Sequence, residues 1–347
     1  MMIVIGLAAA LWGIGLAMKR PRSYRFAMIV VLLVGVIVLH VTLPDGHPIR
    51  RATGHEPEVW IFAFVAVMVI SGYSKLLSIL RARSGVVANG STQTNSDAGP
   101  FSDTELTRYA RHIVLREIGG AGQKALKDAS VLVIGAGGLG APALQYLAAA
   151  GVGTIGVIDD DVVDNSNLQR QVIHTEANIG MAKVQSAAKG MRALNGNVTV
   201  KPYQRRLTRE IAADLVADYD LVLDGTDNFD TRYLVNEVCI KAQTPLISAA
   251  LTQWEGQISE YAPHDGTPCY QCVFPERPDP SLVPSCAEGG VLGPLPGVLG
   301  AMMAVEAVKT LTGAGEGLRG RLLIYDALYA ETRIIAIKPR PDCLICG

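Results

Sequence analysis

The sequence predicts an α/β fold: a mostly parallel sheet covered by helices on both faces, extended by antiparallel strands, and preceded by three apolar spans of membrane-crossing length. Three observations carry this reading. Residues 1–83 are dominated by apolar runs, whereas the rest of the 347-residue chain has mixed charge and regular glycine spacing. From Ser130 onward, short apolar strands alternate with helical segments. Beyond Glu255 that alternation gives way to meandering strands interrupted by two cysteine pairs, Cys269-Tyr-Gln-Cys272 and Cys343-Leu-Ile-Cys346.

The amino-terminal spans cover residues 1–18, 26–43 and 59–80, and Lys75 in the third is able to snorkel. A cleaved signal peptide is the alternative for the first, but its positive residues follow the apolar core rather than precede it. Lys19, Arg20, Arg22 and Arg25 lie between the first two spans, and Lys75, Arg81 and Arg83 close the third. The positive-inside rule puts both regions in the cytoplasm, with the loop of Arg50 and Arg51 on the opposite face. The expectation is a multi-pass anchor over residues 1–83 in a membrane such as the bacterial inner membrane, with the remainder cytoplasmic. Residues 84–101, rich in Gly, Ser, Thr and Asn, read as a flexible linker. Ser102 followed by Glu105 forms a capping box that opens an amphipathic helix and the domain 102–347.

In that domain the expected elements run in order: strand 130–134, helix 140–150, strand 154–158, helix 183–194, strand 197–202, helix 209–217, strand 220–223, helix 231–242 and strand 245–249. A helix over 297–312 interrupts the later strands. Such βα alternation places ligands at the carboxyl ends of the strands. The formal net charge of −1 argues against nucleic acid as a partner.

The motifs fall at those strand ends. Gly135, Gly137, Gly138 and Gly140 follow the first strand, so backbone N–H groups and a helix start can approach an anion without Cβ obstruction. Asp159 closes the next strand, where a Rossmann protein keeps the carboxylate that holds ribose hydroxyls; an ordinary turn aspartate is the alternative. The segment from Asp164 through Asn167 and Arg170 to Lys183 brings positive charge. Hydride transfer has little need of it, but nucleotidyl transfer does, because charge builds on the α-phosphate oxygens. Each of these two cations read alone is equally a solvated surface residue. Asp227, in Asp224-Gly-Thr-Asp-Asn228, is placed to hold Mg²⁺ between phosphates, or else to cap a helix.

Cys269, Cys272, Cys343 and Cys346 present two thiolate pairs, the four-sulfur shell that Zn²⁺ prefers. Disulfides are the alternative, but they need an oxidising compartment, at odds with ATP chemistry in the cytosol. Cys239, inside an expected helix, reads as a core thiol. Cys286 lies in a Pro- and Gly-rich segment apart from both pairs.

From Ser102 to Gly347 the chain resembles the MoeB/ThiF/HesA family, bacterial relatives of ubiquitin-activating enzymes. The residues that carry the resemblance are Arg108-Tyr-Ala-Arg111, Gly135-Ala-Gly-Gly-Leu-Gly140, Asn167-Leu-Gln-Arg-Gln171, Asp224-Gly-Thr-Asp-Asn228, both cysteine pairs and Ser285-Cys-Ala-Glu-Gly-Gly-Val-Leu-Gly-Pro-Leu-Pro-Gly297. The resemblance implies a Rossmann-like domain that adenylates the C-terminal glycine of a small ubiquitin-fold sulfur carrier ending in Gly-Gly, using ATP and Mg²⁺ and releasing pyrophosphate. By it, Asp159 holds the ribose, Arg170 and Lys183 the phosphates with Asn167 against them, Asp227 the magnesium and the four cysteines Zn²⁺. Arg111 reaches into the partner subunit of a homodimer. Cys286 either links covalently to the carrier, as in some members, or is dispensable. The pattern leans towards molybdopterin synthesis over thiamine or cysteine synthesis. No rhodanese-like domain follows, so a separate sulfur donor is expected. Typical members lack the amino-terminal spans, which leaves two further readings: activation of a ubiquitin-like protein for conjugation at a membrane, and a catalytically silent membrane scaffold.

Overall fold

The computed structural model describes residues 2–18, 22–44, 46–54, 58–62, 64, 65, 68, 69, 73, 99–278 and 289–347. The chain divides into two compact units, Met1–Ser96 and Asp97–Gly347.

The first unit contains α1 (Met2–Ala17), α2 (Arg22–Thr42) and the short α3 (Pro48–Thr53). His47 caps α3 by accepting from Ile49 N–H, and Pro48 at its first position has no N–H to leave unpaired. Val4, Leu33, Val36 and Trp60 are buried together, while Leu16, Val31 and Phe62 face outward. The three spans expected from sequence are not supported in that number. Among the described residues, the apolar stretches within α1 and α2 are Gly6–Leu16 and Ala27–Thr42, both shorter than the about 20 residues needed to cross a bilayer core. The third span falls mostly outside the described residues, as does the linker expected over 84–101. Among the described residues, the helix long and apolar enough to cross a membrane is Pro294–Thr312, which is instead the core helix of the second unit.

The second unit opens with α4 (Asp103–Ile113), whose capping box is present: Ser102 Oγ accepts from Glu105 N–H, and the Glu105 carboxylate accepts from Ser102 N–H at 2.8 Å. Sequence periodicity missed the next helix, α5 (Gly119–Asp128), whose first turn holds three glycines and an alanine that show no apolar stripe. There follow β1 (Ser130–Ile134), α6 (Gly140–Ala150), β2 (Thr154–Ile158), α7 (Lys183–Leu194), β3 (Thr199–Tyr203), α8 (Arg209–Ala217), β4 (Leu221–Asp224), α9 (Phe229–Ala242) and β5 (Leu246–Leu251). The antiparallel part comprises β6 (Glu255–Tyr261), α10 (Tyr270–Val273), α11 (Pro294–Thr312), β7 (Arg321–Asp326) and β8 (Glu331–Ala336). Where the boundaries differ from expectation, local chemistry is the cause. α9 starts before residue 231 because Asn228 Oδ1 caps it by accepting from Thr231 N–H, and α11 starts before residue 297 because Pro294 suits a first helical position.

The strands form one sheet in the order β3-β2-β1-β4-β5-β6-β7-β8. Neighbours from β3 to β5 are parallel, and those from β5 to β8 antiparallel. Strand alternation assigns the two faces. Val131 and Val133 of β1 pack with α6, α7 and α11, while Leu132 and Ile134 pack with α8 and α9. Chain order reverses between β1 and β4, and such a switch point opens a crevice at the carboxyl ends of the two strands.

Candidate active site

Ile134 lies beside Asp224 in the parallel register of β1 and β4, so the glycine loop after one strand and the Asp-Gly-Thr-Asp loop after the other emerge side by side. A cleft of about 1520 Å³ opens there. Its walls include Gly135, Gly137, Gly138, Asp159, Arg170, Lys183 and Asp227, so residues separated by up to 92 positions share one space.

Three glycines of the loop are required by conformation or space, Gly138 because a Cβ there would lie 2.9 Å from the Pro296 ring. Gly135 turns the chain at φ +91°, a backbone that residues with Cβ rarely adopt. A Cβ on Gly140 would lie 1.9 Å from the Gly135 carbonyl oxygen, so α6 could not start so close to the strand end. Gly137 meets only Gln171 Nε2, at 3.7 Å, and stays open to the cleft. Asp159 braces this loop as well as facing the cleft: Oδ2 accepts from Ala136 N–H at 2.7 Å and Oδ1 from Asp161 N–H at 2.8 Å. Each oxygen keeps a second lone-pair direction for a hydroxyl donor.

The two cations enter from different elements. Lys183 begins α7 and is buried, and its Nζ donates to Asp161 Oδ2 at 2.7 Å. Arg170 is half-buried and its Nη1 donates to the Ser166 carbonyl at 3.2 Å, leaving most of its fork free. Asn167 is turned aside: Oδ1 accepts from Gln171 Nε2 at 3.1 Å and Nδ2 donates to Ser166 Oγ at 3.0 Å, and Asn167 is not among the cleft-lining residues. Asp227 is exposed in the cleft without a polar partner among the described residues.

Its neighbour Asp224 does the opposite. It is 1% exposed and accepts from Thr226 N–H at 3.0 Å, from Thr226 Oγ1 at 2.7 Å and from Ser248 Oγ at 3.2 Å. Arg232 lies behind it, donating to Ser248 Oγ and to the carbonyls of Ala249 and Thr226. This buried pair fixes the loop that presents Asp227. Sequence reading missed Arg232, because an arginine inside an expected helix carries no signal until the strand beside it is known. It also missed Arg205 and Arg206, which line the cleft at the carboxyl end of β3, where two successive arginines at a strand end were a usable sign. A third omission is His174, a buried ring whose Nε2 lies 2.9 Å from the Ala136 carbonyl. Burial pushes its pKa down, and the charge of Lys183 adds to that, against opposing effects of the Ala136 bond and Asp159.

The four cysteines converge in a small buried cluster with Ile240 of α9 and Ile345. Sγ separations are 3.8 Å for Cys269–Cys272, 3.7 Å for Cys269–Cys343 and 3.4 Å for Cys272–Cys346. A disulfide requires about 2.05 Å. Tetrahedral bonds of about 2.3 Å to one ion put neighbouring sulfurs about 3.8 Å apart, so the cluster fits a metal with soft ligands. Burial opposes ionisation of Cys343, but backbone N–H groups of Ile345 and Cys346 bring its thiol down to about 7. Burial pushes Cys269 up to about 11, so a second thiolate there calls for a cation. Arg340 N–H donates to Cys272 Sγ at 3.4 Å, as ligand sulfurs in such turns require.

Arg111 lies outside the cleft, exposed on α4 without a partner among the described residues. Its helix is held down by its neighbours: Arg108 Nη1 donates to the Leu194 carbonyl at 2.8 Å, and the buried Tyr109 hydroxyl accepts from Asn195 Nδ2 at 2.8 Å. Cys239 is a buried core thiol, as expected. Cys286 falls outside the described residues.

Known proteins share this architecture and sequence. The chain is 50% identical over 244 residues to the SAMP-activating enzyme E1 of Haloferax volcanii, covering 70% of this chain and 90% of that protein. It is 49% identical over 253 residues to the sulfur carrier protein adenylyltransferase of Thermus thermophilus, covering 71% and 93%. The probable adenylyltransferase/sulfurtransferase MoeZ of Mycobacterium tuberculosis is 52% identical over 248 residues, of which this chain spans 63% of the length. Among solved structures, E. coli MccB with ATP has a TM-score of 0.62 at 25% identity, covering 69% of this chain and 74% of that one. The ThiF family matches residues 109–345. With its glycine loop, its switch-point cleft and three of its four clustered cysteines inside that match, the chain belongs to the ThiF family.

Proposed function

We propose that this chain is a nucleotidyltransferase that adenylates the C-terminal glycine of a small ubiquitin-fold sulfur-carrier protein, consuming ATP and releasing pyrophosphate. The observation that carries the reading is the convergence of Asp159, Arg170, Lys183 and Asp227 on one switch-point cleft. The chain's half-identity to a protein named sulfur carrier protein adenylyltransferase supports the choice of substrate.

In this reading the carrier's carboxylate oxygen attacks the α-phosphorus, and the bond from that phosphorus to the β-phosphate oxygen breaks. Negative charge then builds on the α-phosphate oxygens and the leaving pyrophosphate, and positioned cations stabilise it. Arg170 grips phosphate oxygens with its free fork, and Lys183 exchanges Asp161 for a phosphate. Loop N–H groups of Gly137 and Gly138 face the same anion, and Asp159 holds the ribose. Asp227 would hold Mg²⁺, which neutralises phosphate charge when bound; an open, unpartnered carboxylate at the cleft suits that task. Arg111, free on its anchored helix, completes the site of a partner subunit in a homodimer. Cys269, Cys272, Cys343 and Cys346 hold Zn²⁺ for structure. Molybdopterin synthesis is the pathway the sequence favours.

Residues 1–83 anchor the enzyme to a membrane, a role supported by the outward apolar side chains of α1 and α2, and the catalytic domain faces the cytoplasm, where ATP is available. Extraction with carbonate should leave the full chain in the membrane pellet; release into the supernatant would remove the anchor.

The test of the activity is carrier-dependent ATP–pyrophosphate exchange with small proteins ending in Gly-Gly. Exchange is expected with at least one such carrier and none with a carrier lacking its last glycine. Exchange that ignores the carrier terminus would overturn the reading.

A further inference from the structure

We propose that His174 is a positioning residue that orients the phosphate loop by holding the Ala136 peptide, tying together the three elements that supply the cleft's positive end. The proposal rests on the nucleotide reading of the cleft, but its geometry stands in the polypeptide itself.

The ring is 5% exposed and lies four residues beyond Arg170. Its Nε2 is 2.9 Å from the Ala136 carbonyl oxygen, and its Nδ1 is 2.9 Å from Ser186 Oγ on α7. A carbonyl can only accept, so Nε2 carries the proton. In the neutral ring Nδ1 then accepts from the Ser186 hydroxyl. Ser186 is fully buried, and its oxygen in turn accepts from Asn178 Nδ2 at 3.0 Å. One imidazole therefore joins the glycine loop, the Arg170 segment and the helix that begins with Lys183.

The consequence lies in the peptide between Ala136 and Gly137. The C=O and the next N–H of a trans peptide point in opposite directions. Drawing the Ala136 carbonyl onto the buried ring sends Gly137 N–H the other way, on the side where Gly137 lines the cleft. Gly137, on one side of this peptide, offers no Cβ resistance to its flip. A flipped peptide would present a carbonyl oxygen to phosphate in place of a donor. Asp159 holds Ala136 from its other edge through the N–H, so the loop is gripped on both sides. Burial favours the neutral ring, whose Nδ1 lone pair is the acceptor for Ser186.

Hydrogen exchange of the full chain without nucleotide, with ATP binding measured in parallel, tests this. His174→Phe fills the space but removes both bonds, His174→Gln keeps a donor near the Nε2 position, and Ser186→Ala removes the partner that sets the tautomer. Exchange of amides 136–140 is expected to rise about tenfold in His174→Phe while β4 stays protected, and ATP affinity is expected to fall about tenfold. His174→Gln should recover most of both. Unchanged loop exchange in His174→Phe overturns the proposal. So does faster exchange spread equally over β1 and β4 with no recovery in His174→Gln, since that outcome marks packing alone. If His174→Phe does not fold, Ser186→Ala decides, and loop exchange at the wild-type rate there overturns the proposal. Failure of the unmodified chain to bind ATP would sink the nucleotide reading instead, leaving the exchange result to stand on its own.

Discussion

Two polar constructions occupy this domain, the cleft above the parallel strands and the cysteine cluster beside the antiparallel ones, and they treat their polar atoms oppositely. In the cleft, Asp227 is open to solvent and Arg170 keeps most of its donors free. Around the cysteines, three of four sulfurs are on buried residues and the atoms lie within 4.8 Å of one another. A group left unsatisfied in water costs little and stays available to a ligand, whereas one left unsatisfied in the interior costs stability. Removing residues from the two places should therefore separate activity from folding.

The sharpest contrast comes from the cysteines. Structural zinc contributes folding free energy on the order of 10 kcal/mol, so Cys269→Ser or chelation should unfold the domain near room temperature. Metal analysis should return about one zinc per chain. A melting temperature unchanged after the metal is stripped would erase the comparison at its strongest point.

Between the extremes lies the buried pair under the cleft. Arg232 and Asp224 are 5% and 1% exposed, and breaking such a pair leaves one charge without its partner. Arg232→Met should destabilise the domain by about 3–5 kcal/mol, measured by urea denaturation. It should lower activity too, because the pair shapes the loop that presents Asp227. Loss of activity with full stability would move Arg232 from the scaffold to the cleft's own chemistry.

The open cleft residues should show the reverse pattern. Asp227→Ala and Arg111→Ala should each lower carrier-dependent exchange by 100-fold or more while leaving the melting temperature as it was. Mixing the two variants in reassembled dimers should restore part of the activity, since one site then keeps both groups. Absence of recovery argues that Arg111 does not act across subunits.

The smallest effect is a pH dependence. Burial lowers the pKa of His174 below its ordinary 6.5, with Lys183 and Asp159 as the nearby charges, so the unfolded chain binds a proton that the folded chain resists. This contribution to stability is complete above about pH 6.5 and is lost as pH falls from there towards the depressed value. His174→Gln, which does not titrate, should show a flatter dependence of melting temperature on pH in that window. Parallel curves would mean that the ring is as easily protonated in the fold as in water.

Much of the domain was open to reading from the chain alone. Short apolar strands, a glycine loop after the first of them, and paired cysteines are local patterns, and local backbone sterics and metal-ligand spacing suffice to interpret them. Asp159, Lys183 and Asp227 stand out because each follows a strand end or opens a helix, where an α/β sheet puts its ligands, and Arg170 stands out by its charge in the segment between them. The amino-terminal spans show the limit of composition: hydrophobicity marked the segments, but helix boundaries decide whether the apolar stretches reach across a bilayer. Only the tertiary structure decided that Asn167 turns towards Gln171, that Arg232 lies behind Asp224 and that His174 meets Ala136 across 38 positions. The first is set within one turn-rich segment, whereas the last depends on the crossover between β2 and β3 folding back over the glycine loop. Parallel pairing is made between strands distant in sequence, so no local pattern encodes which buried donor will meet which carbonyl.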